Sequence, residues 1–195
     1  LTRITDLFVG GAKRFSEDQI GIFDDVMMRL VATIEAKARA RLSHRLAPIA
    51  NAPIRVVNML AFDDDAEVAE PVLSQSERLG ESELLANAAS KSQRHLAAIA
   101  QRKTLSEALT EVLVERGDRE VVQSVVKNSG ARFSDAGFRM LVKRSIGDDA
   151  LATEVGRRND IPRQHFLVLL EKASEAVRTR LAAENPLASA AVEGI

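Results

Sequence analysis

Apolar residues recur every three or four positions along most of this chain, the spacing of amphipathic helices; no segment shows the strict alternation of a strand. Leu1, Ile4, Leu7 and Phe8 form one such stripe, and Gly10-Gly11 stops it. Ser16 then opens a second helix, because Gln19 stands where a capping box needs it, three residues on. From Ile20, the positions Phe23, Met27, Leu30, Ile34, Ala38, Leu42 and Leu46 keep the spacing with no proline. They predict one long helix or two nearly collinear ones, ending near Pro48. Met27 belongs to the core stripe; Met28 lies off it.

Beyond Pro48 the pattern becomes periodic. Look-alike turns recur at Ala52-Pro53, Leu79-Gly80-Glu81, Leu105-Ser106-Glu107, Phe133-Ser134-Asp135 and Ile161-Pro162-Arg163. In each, an apolar anchor precedes a residue suited to a helix start, and the anchors step by 27, 26, 28 and 28 residues. A fixed interval of this size marks stacked helix pairs that bury their apolar faces only against their neighbours. Asp118-Arg119-Glu120-Val121 also restates Asp65-Ala66-Glu67-Val68 two periods later. Helices are expected from Pro53 to Ala61, from Glu67 to about Ser74, from Glu81 to Ala89, from Ser92, and from Ser106 to a left-handed cap at Gly117. Pro71 falls inside its helix, which predicts a short or kinked one. A cap at Asp148 or Asp149 follows Gly147. The final helix, Pro162 to about Glu184, carries charges at Glu171, Glu175 and Arg178 and suits a terminal cap.

Composition narrows the function classes. Of 195 residues, 46% are hydrophobic and 28% charged, with a net charge of −1, which argues against a dedicated polyanion binder. With no Cys, disulfides, thiolate catalysis and Cys-based zinc sites are excluded, and a reducing, cytoplasmic setting is expected. No apolar run approaches the roughly 20 residues that span a bilayer. Leu1 is not Met, so a fragment or processed chain is expected, and residues 186–195 read as a loose tail.

The combination of Phe23-Asp24-Asp25-Val26, Leu46-Ala47-Pro48, Asn51-Ala52-Pro53, Pro71-Val72-Leu73, His95-Leu96, Val114-Glu115-Arg116-Gly117-Asp118 and Ala131-Arg132-Phe133-Ser134 resembles a bacterial domain-of-unknown-function family, number 2336. The resemblance spans roughly residues 5 to 170 and implies a helical scaffold akin to HEAT-like and variant leucine-rich repeats. That family brings no catalytic or binding residues with it.

Two charged regions are candidate sites. Residues 63 to 83 hold eight carboxylates against Arg78 alone, with Asp63, Asp64, Asp65, Glu67 and Glu70 the densest part. The EF-hand pattern is absent, and an Asp before a helix with a Glu in its first turn is explained by capping and the helix dipole. Residues 127 to 163 hold eight bases against five acids. Arg139, Lys143, Arg144, Arg157 and Arg158 form the candidate basic patch, which could grip a phosphate backbone or be a solvated face. The absence of Trp and Tyr disfavours binding of single strands by stacking. His44, His95 and His165 are scattered, Ser43-His44 point apart on a helix, and no phosphate loop or dinucleotide fingerprint occurs.

The expected fold is therefore all-α: a right-handed α-solenoid of HEAT-like helix pairs in one domain over residues 1–185. N-terminal capping helices would occupy residues 1–48, repeats 49–170 and a C-terminal capping helix 162–185. The expected function is a non-enzymatic scaffold, without metal or cofactor, that binds a protein or peptide as a monomer or weak homodimer. Nucleic-acid backbone binding through residues 127–163 is the alternative. The acidic and basic regions make the chain electrically polar, which would orient a partner or favour head-to-tail contact between copies, weakened by salt.

Overall fold

The computed structural model describes residues 2–184, so the expected tail at 186–195 and Leu1 of the first apolar stripe lie outside the described residues. Those residues form thirteen α-helices and one short 3-10 helix. Pairing of extended backbone among them is confined to a single parallel bridge between Leu105 and Ala131. No helix among them is long and apolar enough to cross a membrane. The chain divides into two compact units between Arg102 and Lys103.

The first unit holds α1 (Thr2–Gly11), a 3-10 helix (Ala12–Arg14), α2 (Glu17–Val31), α3 (Ala36–Leu46), α4 (Ile54–Ala61), α5 (Ala66–Gln75), α6 (Glu81–Ser90) and α7 (Gln93–Ala100). Ser16 and Gln19 complete the capping box: Gln19 Oε1 accepts the Ser16 N–H at 2.9 Å, and Ser16 Oγ accepts the Gln19 N–H at 3.3 Å. The stripe from Ile20 to Leu46 is two helices, separated at residues 32–35, where Thr33 Oγ1 bonds back to the Leu30 carbonyl. There the backbone tightens, with the Thr33 N–H donating to the Leu30 carbonyl at 3.1 Å, and extended Glu35 (φ −67°, ψ 156°) starts α3 afresh. Helices pack on the next but one: α3 on α5, α5 on α7, and α2 on α4. Their shared core is Met27, Leu46, Leu60, Leu73, Leu96 and Ile99, all fully buried, each worth about 1.5–3 kcal/mol by transfer from water. α5 runs through Pro71, whose buried ring joins that core; this burial offsets the lost helical hydrogen bond.

The second unit holds α8 (Glu107–Arg116), α9 (Arg119–Lys127), α10 (Asp135–Ser145), α11 (Asp149–Gly156), α12 (Arg163–Lys172) and α13 (Glu175–Glu184). Here too the contacts link alternate helices: α8 to α10 to α12, and α9 to α11 to α13. Anchors Leu105 and Phe133 are buried, as Ala52 and Leu79 are in the first unit, and Ile161 is half-buried.

Two local expectations need correction. Gly117 is not left-handed: its φ is −63° and its ψ 144°. Glycine is required there because a Cβ would strike the Leu113 carbonyl and the Val121 side chain. The left-handed glycine is Gly147, at φ 79°, just before the Asp148 cap. Likewise, the expected final helix is two. Ser174 Oγ accepts the Val177 N–H and donates to Asp149 Oδ2 at 2.9 Å, so it starts α13 afresh.

Candidate docking groove

Helix α10 begins where Ser134 Oγ accepts the Gly137 N–H at 3.0 Å. α12 begins at Arg163, just after its N-cap Pro162, and the two helices pack side by side. Along α10 and its C-cap, Arg139, Val142, Lys143 and Ile146 fall at three- and four-residue steps and so share a face. On α12, His165, Val168 and Lys172 do the same. These residues line an open groove of about 470 Å³. Val142 is buried in its floor, whereas Ile146 is 54% exposed and Val168 40%.

One end of the groove is polar. Asp135 Oδ1 accepts hydrogen bonds from His165 Nε2 and Gln164 Nε2, both at 2.7 Å. Oδ2 accepts one from Arg139 at 2.8 Å. The bond from His165, helped by Gln164 and the Arg139 charge, holds the Asp135 carboxyl below the usual carboxylate range. A carboxylate with three donors and lowered basicity is a poor proton acceptor and a good fixed post. His165 itself is buried and stacked on Phe138, with ring centroids 6.3 Å apart. Lys143 and Lys172 are exposed and make no ion pair or hydrogen bond among the described residues. Three bases thus stand against one acid around an apolar floor.

The five bases singled out from the sequence do not form one patch. Arg139 and Lys143 line this groove; Arg157 and Arg158 line a separate hollow of about 400 Å³ with Lys127, Glu154 and Asp160. Arg157 is clamped by both oxygens of Glu184, at 2.7 and 2.6 Å, which holds its guanidinium more firmly charged. Arg158 donates to the carbonyls of Val126, Asn128 and Ala131 at 2.8–3.1 Å, pairs with Asp160, and lies 4.6 Å over the Phe133 ring. Arg144 caps the Val114 carbonyl at 2.6 Å. Arg144 and Arg158 thus close helix ends, and Arg157 ties the end of α11 to α13.

The acidic run is also occupied. Asp63 takes two bonds from Arg39, at 2.6 and 3.3 Å, and one from the Asp65 N–H, while its backbone carbonyl meets the buried His95 ring at 2.9 Å. Asp64 pairs with Lys91 at 2.6 Å, and Asp65 caps α5 through the Glu67 N–H. Glu67 lies 3.9 Å from Arg94, and Glu70 is exposed. Among the described residues, no group of three or more His, Asp or Glu is placed to hold a metal ion. His44 is exposed, away from both other histidines in sequence.

The groove sits within a stretch shared with other bacterial proteins: residues 68–195 match the family described as "Uncharacterised protein conserved in bacteria (DUF2336)". The chain belongs to this family. Neither a curated protein nor a solved structure matches it. In this DUF2336 chain the match takes in α10 and α12, while α2 and the Leu46-Ala47-Pro48 turn precede it.

Sequence reasoning missed Ile146, Val168 and Lys172, whose meaning comes from their neighbours across the groove. It also missed the closing role of the arginines, for which a signal exists. Arg78, Arg102 and Arg158 stand one to three residues before the anchors Leu79, Leu105 and Ile161. Each donates to carbonyls 26 to 32 residues back: Arg78 to Ala52, Arg102 to Leu73 and Ser76, Arg158 to Val126, Asn128 and Ala131.

Proposed function

We propose that the chain is a non-catalytic scaffold, a right-handed solenoid of HEAT-like helix pairs acting in the cytoplasm, that binds a protein or peptide segment in the α10–α12 groove. The observation that carries the reading is the pairing of exposed Ile146 and Val168 with two uncompensated lysines on one surface. Apolar side chains beside unpaired charge match the make-up of a protein-docking surface, where a desolvated apolar centre sits inside a polar rim. The regular turn interval and the packing of alternate helices within each unit support the solenoid. A nucleic-acid backbone is less well served, since Arg144, Arg157 and Arg158 spend their donors on carbonyls and Glu184. Phosphate contacts would fall to Arg139, Lys143 and Lys172, with apolar residues between them gaining nothing.

The test is a photo-cross-linking amino acid at Ile146 in the full chain, with Gln75 on the exposed end of α5 as the control position. A protein adduct at Ile146 that disappears with Lys143→Glu/Lys172→Glu supports the reading. Equal adducts at both positions, or adducts only to nucleic acid, would refute it.

A further inference from the structure

Helices α1 and α3 of the first unit pack together, and Asp6 joins Arg45 across them at 2.6 Å. On α1 the exposed positions Arg3, Leu7 and Gly10 fall at steps of four and three, so they share one face. On α3 exposed Lys37, Arg41 and His44 do the same. That stripe reaches exposed Pro48 through Ala47, whose backbone is still helical at φ −50° and ψ −45°. Asp6 precedes Leu7 and Arg45 follows His44, so their ion pair joins the facing flanks and the two stripes run side by side. Both end at an open cavity of about 470 Å³, which Gly10 and Pro48 line. Val9, Ala12 and Ile49 give it an apolar wall, and Lys13 and Arg14 give it charge. Asn51 fixes the wall by donating to the Ala12 carbonyl at 2.7 Å.

This face is short of acids. Arg3, Lys13, Arg14, Lys37 and Arg41 are exposed, and their side chains make no ion pair or hydrogen bond among the described residues. Asp6 is engaged by Arg45, and Glu35 stands at the N-cap of α3, outside its stripe. Glu17 and Asp18 open α2 and do not line the cavity. The sign changes only at α5, with exposed Glu67 and Glu70. Leu7 is 63% exposed amid the bases. A nucleic-acid backbone would satisfy the bases but offers Leu7 and the cavity wall no apolar counterpart. A phospholipid carries both a phosphate and hydrocarbon. We propose that the α1–α3 face docks on an anionic phospholipid surface. Arg3, Lys37 and Arg41 lie over the headgroups, and Leu7 inserts between them. Lys13 and Arg14 hold one lipid phosphate at the mouth of the cavity. None of this depends on what the α10–α12 groove binds.

Co-sedimentation of the full chain with vesicles of phosphatidylcholine, alone or mixed with phosphatidylglycerol, tests this. The wild type is expected to bind the mixed vesicles and not the neutral ones, and high salt should release it. Lys37→Gln/Arg41→Gln and Lys13→Gln/Arg14→Gln should each weaken binding about thirtyfold, on the scale of two basic contacts with an anionic surface. Lys143→Glu/Lys172→Glu, in the other unit, should leave it unchanged. All six residues are exposed, and circular dichroism checks that each variant folds. The chain has no Cys, so Leu7→Cys takes a single environment-sensitive dye. Its emission should shift to the blue on the mixed vesicles. The same dye at Ile22→Cys, where Ile22 is 65% exposed on α2, should stay as in water. Equal binding to both kinds of vesicle, equal loss with the Lys143/Lys172 pair, or no shift at position 7 overturns the proposal. Equal shifts at positions 7 and 22 overturn it too, as does binding to duplex DNA in place of the vesicles.

Discussion

The clusters around Asp63 and Asp135 are built from the same parts, a carboxylate, an arginine and a histidine, yet one is closed and the other open. Asp63 has a side chain 11% exposed, and every bond its carboxylate makes ties the α4–α5 turn to α3 or to itself. Asp135 has a side chain 50% exposed, and the residues beside it include two lysines and two apolar side chains with nothing to meet. Charge density along the sequence is higher in the first cluster. Availability is higher in the second. What separates them is whether opposite charge arrives from a neighbouring helix, so a count of charges says little about which region is free to bind.

The largest effects should come from contrasting buried with exposed apolar positions. Leu105→Ala should cost about 2–5 kcal/mol in chemical denaturation, because Leu105 is 1% exposed and cannot be replaced without a cavity. Ile146→Ala should stay within about 0.5 kcal/mol. Equal losses would erase the distinction between core and groove.

A smaller contrast separates the two charged clusters. Asp63→Ala should cost about 2–3 kcal/mol, somewhat below a fully buried ion pair, since it strands Arg39 and the Asp65 N–H. Lys143→Glu should leave stability within about 0.5 kcal/mol, as it breaks no bond in the fold. A reversed order in thermal or denaturant melts would mean that the closed and open assignments are exchanged.

The smallest effect concerns acid. Asp148 pairs with Arg119 and caps α11, and these bonds hold its pKa at about 2. A carboxyl with a lowered folded-state pKa contributes stability that is complete above its unfolded value of about 4 and lost as pH falls through the folded value. With screening at this partly exposed pair, Asp148→Asn should remove about 1 kcal/mol of the fall in stability between those limits. Asn keeps the cap, so melts of the two proteins should differ mainly at neutral pH and converge in acid. A constant difference across pH would assign the effect to capping instead.

Much of the fold was legible because it is local. Ser16, Ser106, Ser134 and Asp118 announce their helices, and the repeated anchors mark buried positions before any contact is known. The misread places were those where a local signal competes with another. Ser174 restarts a helix inside a charged run, and Gly117 serves a close approach where a left-handed turn was expected, whereas the stripe from Ile20 to Leu46 is the two helices that its spacing allowed. The groove was least legible. Arg139 and Lys143 stood out by sign and spacing, but Arg144, Arg157 and Arg158 looked alike and are used internally. The apolar half of the site, Ile146 and Val168, is indistinguishable in sequence from core until α10 and α12 are brought together.

The most direct test of the open and closed clusters is the adduct formed from Ile146 in the full chain, compared between two paired charge reversals. Lys143→Glu/Lys172→Glu should abolish it, and Asp64→Lys/Glu67→Lys should leave it unchanged. Loss with the Asp64/Glu67 pair and persistence with the Lys143/Lys172 pair would contradict the account.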